Sequence, residues 1–228
     1  MHPLLDEETL RLSSVVANCR MNRERRLIGT NSYSVDLKLD VIQKLMSFGS
    51  DGPVRWLDVC CGSAIALIQA VEHFQSDPDS PGLFVDGIDL VGHFVRHDLS
   101  PELSLRKTSF ENWTPKHRYD LVTCVHGLHY IGDKLSAIRK MVNCLSERGT
   151  FVANVDLENF RFADGSSASA AILTLFREQG ITFDKRSRLI ECSDGRKMDS
   201  FAFSYLGADD NAGPNYTGQP AVNSHYDA

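Results

Sequence analysis

The chain has 228 residues and a formal net charge of −6 at pH 7. This length allows one substantial core, so we expect one folded domain with covering segments. Apolar residues make up 42% and charged residues 24%, a balance that excludes a largely disordered chain. The negative charge disfavours nucleic acid as a partner, because phosphates would be repelled unless basic residues gathered on one face.

Neither a membrane span nor an export signal is predicted. No apolar run approaches the roughly 18 residues needed to cross a bilayer. The segment from Met1 to Glu8 lacks the basic and then apolar pattern of an export signal. We therefore expect a cytoplasmic protein with no membrane partner, present as a monomer or a homodimer.

The cysteines predict reduced thiols rather than a metal centre. They contain no C-x-x-C pair, and the only close pair, Cys60 and Cys61, is adjacent. Adjacent side chains are poorly spaced for sharing one metal ion, so no metal is expected. The other cysteines are Cys19, Cys124, Cys144 and Cys192.

Residues 1–50 are predicted to form an N-terminal helical cap. Apolar residues from Leu4 to Cys19 recur at loosely helical spacing. A second helical stripe begins at Leu37, after the turn-rich segment from Gly29 to Ser34. Asp36 is suited to cap that second helix.

Strands and helices alternate along residues 51–206. The predicted strands are Val54–Val59, Leu83–Asp89, Leu103–Thr108, Tyr119–Val125 and Thr150–Val155, and the predicted helices are Ala64–Phe74, Leu90–His97, Asp133–Leu145 and Ala168–Glu178. This order predicts an α/β fold with a doubly wound, mostly parallel sheet, because right-handed crossovers return the chain in the same direction. The strands Arg188–Cys192 and Phe201–Leu206 are predicted to add a C-terminal antiparallel hairpin.

The most informative segment runs from Leu57 to Ala64, where a strand carrying an acid leads through a turn of small residues into a helix. A ligand can approach the backbone closely at such a turn. A dinucleotide site needs G-x-G-x-x-G here, but the three positions read Cys60, Gly62 and Ile65. Hydride transfer is therefore disfavoured.

Three further elements follow in order. Asp89 ends the next strand, where a carboxylate can accept hydrogen bonds from both ribose hydroxyls. The interval from Asp58 to Asp89 exceeds the roughly 20 residues typical of such pairs, and a polar insert at residues 76–82 accounts for the excess. The third element is Thr108–Glu111, and the fourth runs from the strand at Tyr119 into the segment His126–Tyr130.

In order and separation, these four elements resemble the motifs of class I S-adenosylmethionine-dependent methyltransferases, over about Trp56 to Asp156. The resemblance implies the seven-stranded Rossmann-like fold of that family and S-adenosylmethionine as cofactor. It implies cofactor-binding roles for Asp58, Cys60, Gly62, Ala64, Asp89, Leu90, Ser109, Phe110 and Val125.

The chain departs from the family pattern at three of these positions. Cys60 and Ala64 replace usual glycines, and Ser109 stands where the family often has an aspartate. A cysteine or alanine is tolerable in place of glycine if the backbone does not need a positive φ. Because Ser109 replaces that aspartate, adenine recognition would depend on backbone groups and on packing against Phe110.

The predicted reaction is methyl transfer to an oxygen or nitrogen atom of a small-molecule acceptor, with secondary metabolism as a candidate context. A base must take a proton from a hydroxyl or ammonium acceptor, and histidine suits that task. His129 is the first candidate and His126 the second, although either can instead cap the following helix or bond the backbone. Tyr33 is predicted to close over the methionine end of the cofactor. Arg25 or Arg26 could meet an acidic group of a ligand, but a solvated helix face is the preferred interpretation for both.

Residues 207–228 are predicted to be either a disordered tail or a loop across the site. In the second case Tyr216, together with Tyr130, would bind the acceptor. Three other functions stay open. The scaffold can serve a non-methylating reaction, or it can bind the cofactor and regulate a partner without turnover. It can also methylate RNA or protein, which would need a basic groove or a recognition domain that the sequence does not clearly show.

Overall fold

The computed structural model describes residues 3–17, 24–49, 52–96 and 100–227. Cys19 and His97, which carry predictions above, lie outside these ranges. Within the described ranges, no helix is both long enough and apolar enough to cross a membrane.

A seven-stranded sheet forms the centre of the fold. Its strands are β1 (Val54–Val59), β2 (Leu83–Asp89), β3 (Leu103–Lys107), β4 (Tyr119–Cys124), β5 (Leu145–Asn154), β7 (Thr182–Asp184) and β8 (Leu189–Ser193). The spatial order is β3-β2-β1-β4-β5-β8-β7. The first five are parallel, and β8 runs antiparallel to both of its neighbours. The predicted doubly wound, mostly parallel sheet is confirmed.

Helices cover both faces of this sheet. They are α1 (Glu7–Leu12), α2 (Ser14–Ala17), α3 (Tyr33–Leu37), α4 (Val41–Phe48), α5 (Ile65–Ser76), α6 (Lys134–Val142) and α7 (Ser169–Glu178). One core cluster packs Trp56 against residues of α3, α4 and α5, and a second packs Phe151 against α6 and α7. Asp36 lies inside α3 and does not cap a helix, because Ser32 caps α3 and Asp40 caps α4.

A second sheet lies beside the first and contains β6 (Phe160–Phe162), β9 (Ser204–Asp209) and β10 (Asn223–Asp227), in the order β6-β10-β9. An antiparallel hairpin is present near the C-terminus, but its strands differ from the predicted pair. β8 pairs with β7 and β5, whereas β9 pairs with β10. Residue alternation marks a strand without identifying its partner, so the pairing of Arg188–Cys192 with Phe201–Leu206 was wrong.

The helix predicted from Leu90 is also wrong, since the described residues 90–96 form none. The carboxylate of Asp89 accepts hydrogen bonds from the amides of Val91 and Gly92, and Gly92 takes a φ of 67°. Further on, the amide of Val95 donates to the carbonyl of Ser63. These backbone amides are therefore paired with Asp89 and with the turn before α5, in place of the hydrogen bonds of a helix.

The last described residues are fixed to α6. Lys134 is fully buried, and its Nζ donates to the carbonyls of Ile131 at 2.9 Å and Val222 at 2.7 Å and to Oγ of Ser224 at 2.9 Å. Burial lowers the pKa of Lys134 to about 7, with nearby carboxylates acting in the opposite direction.

At the other end of the chain, Leu5 exchanges two backbone hydrogen bonds with Ala208 of β9.

Candidate functional site

A cleft opens at the carboxyl ends of β1 to β4, where ligands bind in open α/β sheets. It has a volume of about 940 Å³, which includes space continuous with solvent. Of the predicted site residues, its walls include Cys60, Gly62, Asp89, Leu90, Ser109, Phe110 and Tyr130. The sequence elements that resemble methyltransferase motifs therefore meet in one place.

The turn between β1 and α5 is strained. Cys60, Gly62 and Ala64 have φ values of 62°, 60° and 63°. Positive φ is therefore needed at both replaced glycines, contrary to the condition under which those replacements are easily tolerated. A left-handed conformation costs roughly 1–2 kcal/mol for a residue with a Cβ. Strain of this kind clusters at functional sites.

Gly127 connects the cleft to the end of β4. A Cβ added to Gly127 would lie 2.5 Å from Cβ of Cys60, so only glycine allows the two loops to approach this closely. Gly127 lines the cleft, and its neighbour His126 also has a positive φ, of 56°. Glycine at position 127 thus places His126 next to the wall of the cleft.

Asp89 presents a fixed acceptor to the cleft. Its Oδ2 accepts a hydrogen bond from the amide of Gly62 at 3.0 Å, and its Oδ1 accepts from Val91 at 2.9 Å and Gly92 at 3.0 Å. A carboxylate has about four lone-pair sites, so it can accept a further donor from the cleft. This arrangement fits the hydroxyls of a ribose.

Asp58 is fully buried beneath the turn. Its Oδ2 accepts a hydrogen bond from the hydroxyl of Tyr33 at 2.7 Å, and its Oδ1 accepts from the hydroxyl of Thr123. Burial raises the pKa of Asp58 to about 7, although these two hydroxyls favour the charged form. As far as the chain is described, the cleft walls do not include Asp58, Tyr33, Ala64 or Val125. Direct contact of these residues with a cofactor stays a prediction.

Helix α1 covers the turn at Ser109, which the sequence did not indicate. Arg11 donates to Oγ of Ser109 at 3.1 Å and to the carboxylate of Glu111 at 2.9 Å. Glu7 also lines the cleft, and burial followed by the neighbouring Glu111 raises its pKa to about 7. Glu7 and Arg11 share one helix face at a spacing of four residues. This spacing was the feature of the sequence that could have indicated a polar face of α1 directed at the site.

Phe110 forms an aromatic wall of the cleft. Its ring stacks on that of Trp113 with centroids 6.0 Å apart, and the ammonium of Lys140 lies 4.8 Å from its centre. Lys140 also donates to the carbonyls of Phe110 and Glu111. The wall is therefore held in a fixed position before any ligand arrives.

His126, His129 and Tyr216 lie together beside the cleft. The imidazole centroids are 5.8 Å apart, and the Tyr216 ring lies 6.3 Å from that of His126 and 5.4 Å from that of His129. The structure thus brings both candidate bases and one candidate acceptor-binding residue into one cluster.

Asp36 and Asn154 complete this cluster, and sequence reasoning assigned neither a role there. Oδ1 of Asp36 lies 3.6 Å from Nε2 of His126. Asn154 accepts from the amide of His126 at 3.3 Å and donates to the carbonyl of Asp36 at 3.2 Å. Arg25, for which ligand contact was the alternative to a solvated helix face, forms an ion pair with Asp36.

The two histidines differ in their suitability as a base. Burial, followed by the charges of His126 and Lys134, lowers the pKa of His129 to about 3. A neutral imidazole with so low a pKa is a weak proton acceptor. His126 instead has its Nε2 3.6 Å from Oδ1 of Asp36. The geometry favours His126 over His129 as the base.

Residues 23–193, well over half of the chain, match a family model described as a methyltransferase domain. A comparison with curated proteins finds no match. Among solved structures, magnesium protoporphyrin IX methyltransferase from Synechocystis PCC 6803, determined with bound SAM, is 15% identical, with a TM-score of 0.50 over 84% of this chain and 98% of that chain.

Two further structures are similar at lower scores. The [4+2]-cyclase SpnF is 17% identical, with a TM-score of 0.46 over 89% of this chain and 70% of that one. The plantazolicin methyltransferase BpumL is 14% identical, with a TM-score of 0.42 over 68% of this chain, and the match spans only 55% of its own length. The likeness at a TM-score of 0.50 shows the fold, and the match to the family model confirms the resemblance seen in the motifs: the chain belongs to the methyltransferase domain family.

Proposed function

We propose that the protein transfers the methyl group of S-adenosylmethionine to an oxygen or nitrogen atom of a small-molecule acceptor. One observation carries this proposal. The cleft contains the family's motif residues, and Gly127 in its wall directly follows His126 in the chain. The imidazole of His126 faces the carboxylate of Asp36. A cofactor site and a proton acceptor are therefore adjacent.

The residues around the cleft have distinct roles toward the cofactor. Asp89 accepts hydrogen bonds from the ribose hydroxyls, and Phe110 packs against the adenine. The turn from Cys60 to Ala64 faces the methionine end, with the charge of Asp58 behind it. When bound, S-adenosylmethionine supplies a methyl group on an excellent leaving group, so the protein's main contribution is positioning and exclusion of water.

The acceptor is deprotonated by His126 in this proposal. A lone pair of the acceptor oxygen or nitrogen forms a bond to the methyl carbon while the carbon–sulfur bond breaks, and the sulfur keeps the electron pair. The acceptor proton passes to Nδ1 of His126, because Nε2 carries the N–H that faces Asp36, and the carboxylate stabilises the positive charge that forms on the ring. The products are the methylated acceptor and S-adenosylhomocysteine.

Two measurements on purified protein test the proposal. Calorimetry with S-adenosylhomocysteine is expected to show binding at one site. Incubation with methyl-labelled S-adenosylmethionine and a panel of hydroxyl and amine acceptors is expected to yield labelled product. Absence of binding contradicts the proposal at its basis, whereas binding without label transfer favours a non-methylating reaction or a regulatory role.

A further inference from the structure

Tyr216, which is 39% exposed, lies with its ring against side chains of the main fold. We define the Tyr216 slot by His126, His129, Asn154, Asp156 and Arg188. The guanidinium of Arg188 lies 5.7 Å from the centre of the Tyr216 ring, and the ring of His129 meets it edge-on with centroids 5.4 Å apart. The slot therefore accommodates a planar aromatic ring between a cation and an imidazole.

The floor of the slot carries unpaired polar atoms. Within the described part of the chain, both ring nitrogens of His126 and Nε2 of His129 are buried without a hydrogen-bond partner. The His126 side chain is only 6% exposed, and His129 is 1% exposed. Nε2 of His126 faces Asp36, and His129 interacts with the side chain of Asn159. Because buried polar groups are almost always paired in native proteins, Nδ1 of His126 is the nitrogen that indicates a ligand with a hydroxyl or N–H group.

The hydroxyl of Tyr216 shares its surroundings with the proposed base. Burial, followed by the charges of Asp156 and Asp36, raises the pKa of the phenol. Asp36 is the same carboxylate that faces His126. The phenol of Tyr216 therefore lies within the electrostatic influence of the carboxylate that faces His126.

The ring reaches the slot on a loop that is fixed at its ends and internally closed. Residues 210–222 join β9 and β10, which pair with each other, and Lys134 holds Val222. Inside the loop, the amide of Asn215 donates to the carbonyl of Gln219 at 2.8 Å. Gly213 and Gly218 have φ values of 75° and 79°, with no described atom within 4 Å of an added Cβ. Lifting the loop from the slot requires breaking the hydrogen bond from the amide of Tyr216 to the carboxylate of Asp156 at 3.2 Å, whereas the pairing of β9 with β10 can stay intact.

We propose that the Tyr216 slot is the acceptor site, and that the acceptor is an aromatic ring bearing a hydroxyl group which takes the place of the Tyr216 ring. This inference rests on the proposed methyl transfer. Exchange of one ring for another keeps the contacts with Arg188 and His129. In the reaction, the phenolic oxygen bonds to the methyl carbon, the carbon–sulfur bond breaks with its pair on sulfur, and the proton passes to His126. An aryl methyl ether and S-adenosylhomocysteine result.

The test uses p-cresol, which is the tyrosine side chain as a free molecule, and toluene, which lacks the hydroxyl. Tyr216→Ala opens the slot and is expected to bind p-cresol about tenfold more tightly than the wild type, because the internal competitor is gone. The same variant is expected to prefer p-cresol to toluene. Leu206→Ala serves as the control, since Leu206 is an exposed residue of β9 outside the slot. It is expected to behave as the wild type.

Equal p-cresol affinity in Tyr216→Ala and wild type, or equal binding of p-cresol and toluene, overturns the proposal. If Tyr216→Ala does not fold, NMR of the wild type replaces it. High p-cresol, but not toluene, is then expected to shift the imidazole signals of His126 and His129, and unchanged signals overturn the proposal. Binding of S-adenosylhomocysteine, measured in the same samples, separates a wrong acceptor class from a wrong proposed function.

Discussion

Tyr33 and Asp36 lie one helical turn apart on α3 and serve the two halves of the site. The hydroxyl of Tyr33 donates to Asp58 beneath the turn between β1 and α5, and Asp36 faces Nε2 of His126 beside the Tyr216 slot. Residues three apart on a helix share one face. A single short helix therefore sets the position of the carboxylate under the cleft relative to that of the candidate base.

Asp89→Asn is expected to weaken the binding of S-adenosylhomocysteine by about 1.5 to 3 kcal/mol, because charge-assisted bonds to the ribose are lost. Isothermal titration calorimetry measures the change. Asp79→Asn, in the exposed insert before β2, is the matched control and is expected to bind as the wild type. Wild-type affinity in Asp89→Asn would remove this residue from the cofactor site.

Cofactor binding is expected to release a proton from Asp58. With a pKa of about 7, Asp58 is roughly half protonated at pH 7 in the free protein. A cationic sulfonium and ammonium nearby favour the carboxylate, so about half a proton should leave on binding. Calorimetry in buffers of different ionisation enthalpy measures this release. The proposed role of Asp58 fails if Asp58→Asn releases the same amount.

His126→Asn is expected to lower kcat by about 10² to 10⁴ while cofactor affinity is unchanged, because the base is lost. Asparagine is chosen since it tolerates the positive φ at this position better than alanine. Asp36→Asn should also lower kcat, because the carboxylate that faces His126 is lost. Turnover of His126→Asn at the wild-type rate would show that no base acts from this position.

His129→Gln is expected to flatten the loss of stability in acid. In the folded protein His129 has a pKa of about 3, whereas in the unfolded chain it titrates near 6.5. Between these values only the unfolded chain binds the proton, so stability falls as the pH decreases. The slope is roughly 1.4 kcal/mol per pH unit for one such group. Urea unfolding at several values between about pH 4 and about pH 6 gives the free energy of unfolding of the variant and the wild type. Equal slopes of this free energy against pH would contradict the prediction.

Cys60→Gly is expected to raise the free energy of unfolding by about 1 kcal/mol, because glycine adopts the left-handed conformation without strain. Lys38→Gly is the matched control, since Lys38 has a φ of 52° at the end of α3 and lies outside the cleft. Both variants should be stabilised, but only Cys60 lines the cleft. Destabilisation of Cys60→Gly alone would show that the thiol contributes more by packing than the strain costs.

The alternation of strands and helices was predictable because each signal is local. The strand ending at Val59, the turn through Gly62 and the helix that follows can be identified within a few residues of one another. The same holds for Asp89, whose place at the end of a strand brings it to the edge where function gathers. Local patterns also misled the prediction at Leu90, where bonds to Asp89 and Ser63 replace a helix.

Contacts between distant segments could not be predicted. Asp36 reaches His126 only because α3 packs against β5, and no spacing in the sequence connects these two residues. The positive φ of Cys60 and Ala64 was hidden as well, since neither residue type normally indicates a left-handed conformation. The partner of β9 depended on β10, which lies in a segment with few strand signals.

The pairing of Leu5 with Ala208 joins segments that are almost a whole chain apart. Closing so long a loop has a high entropic cost, which is recovered only when the surrounding elements are already in place. We therefore expect α1 to dock after the seven strands have assembled. The cleft of a newly folded molecule is then open to solvent until α1 covers it in the last kinetic step.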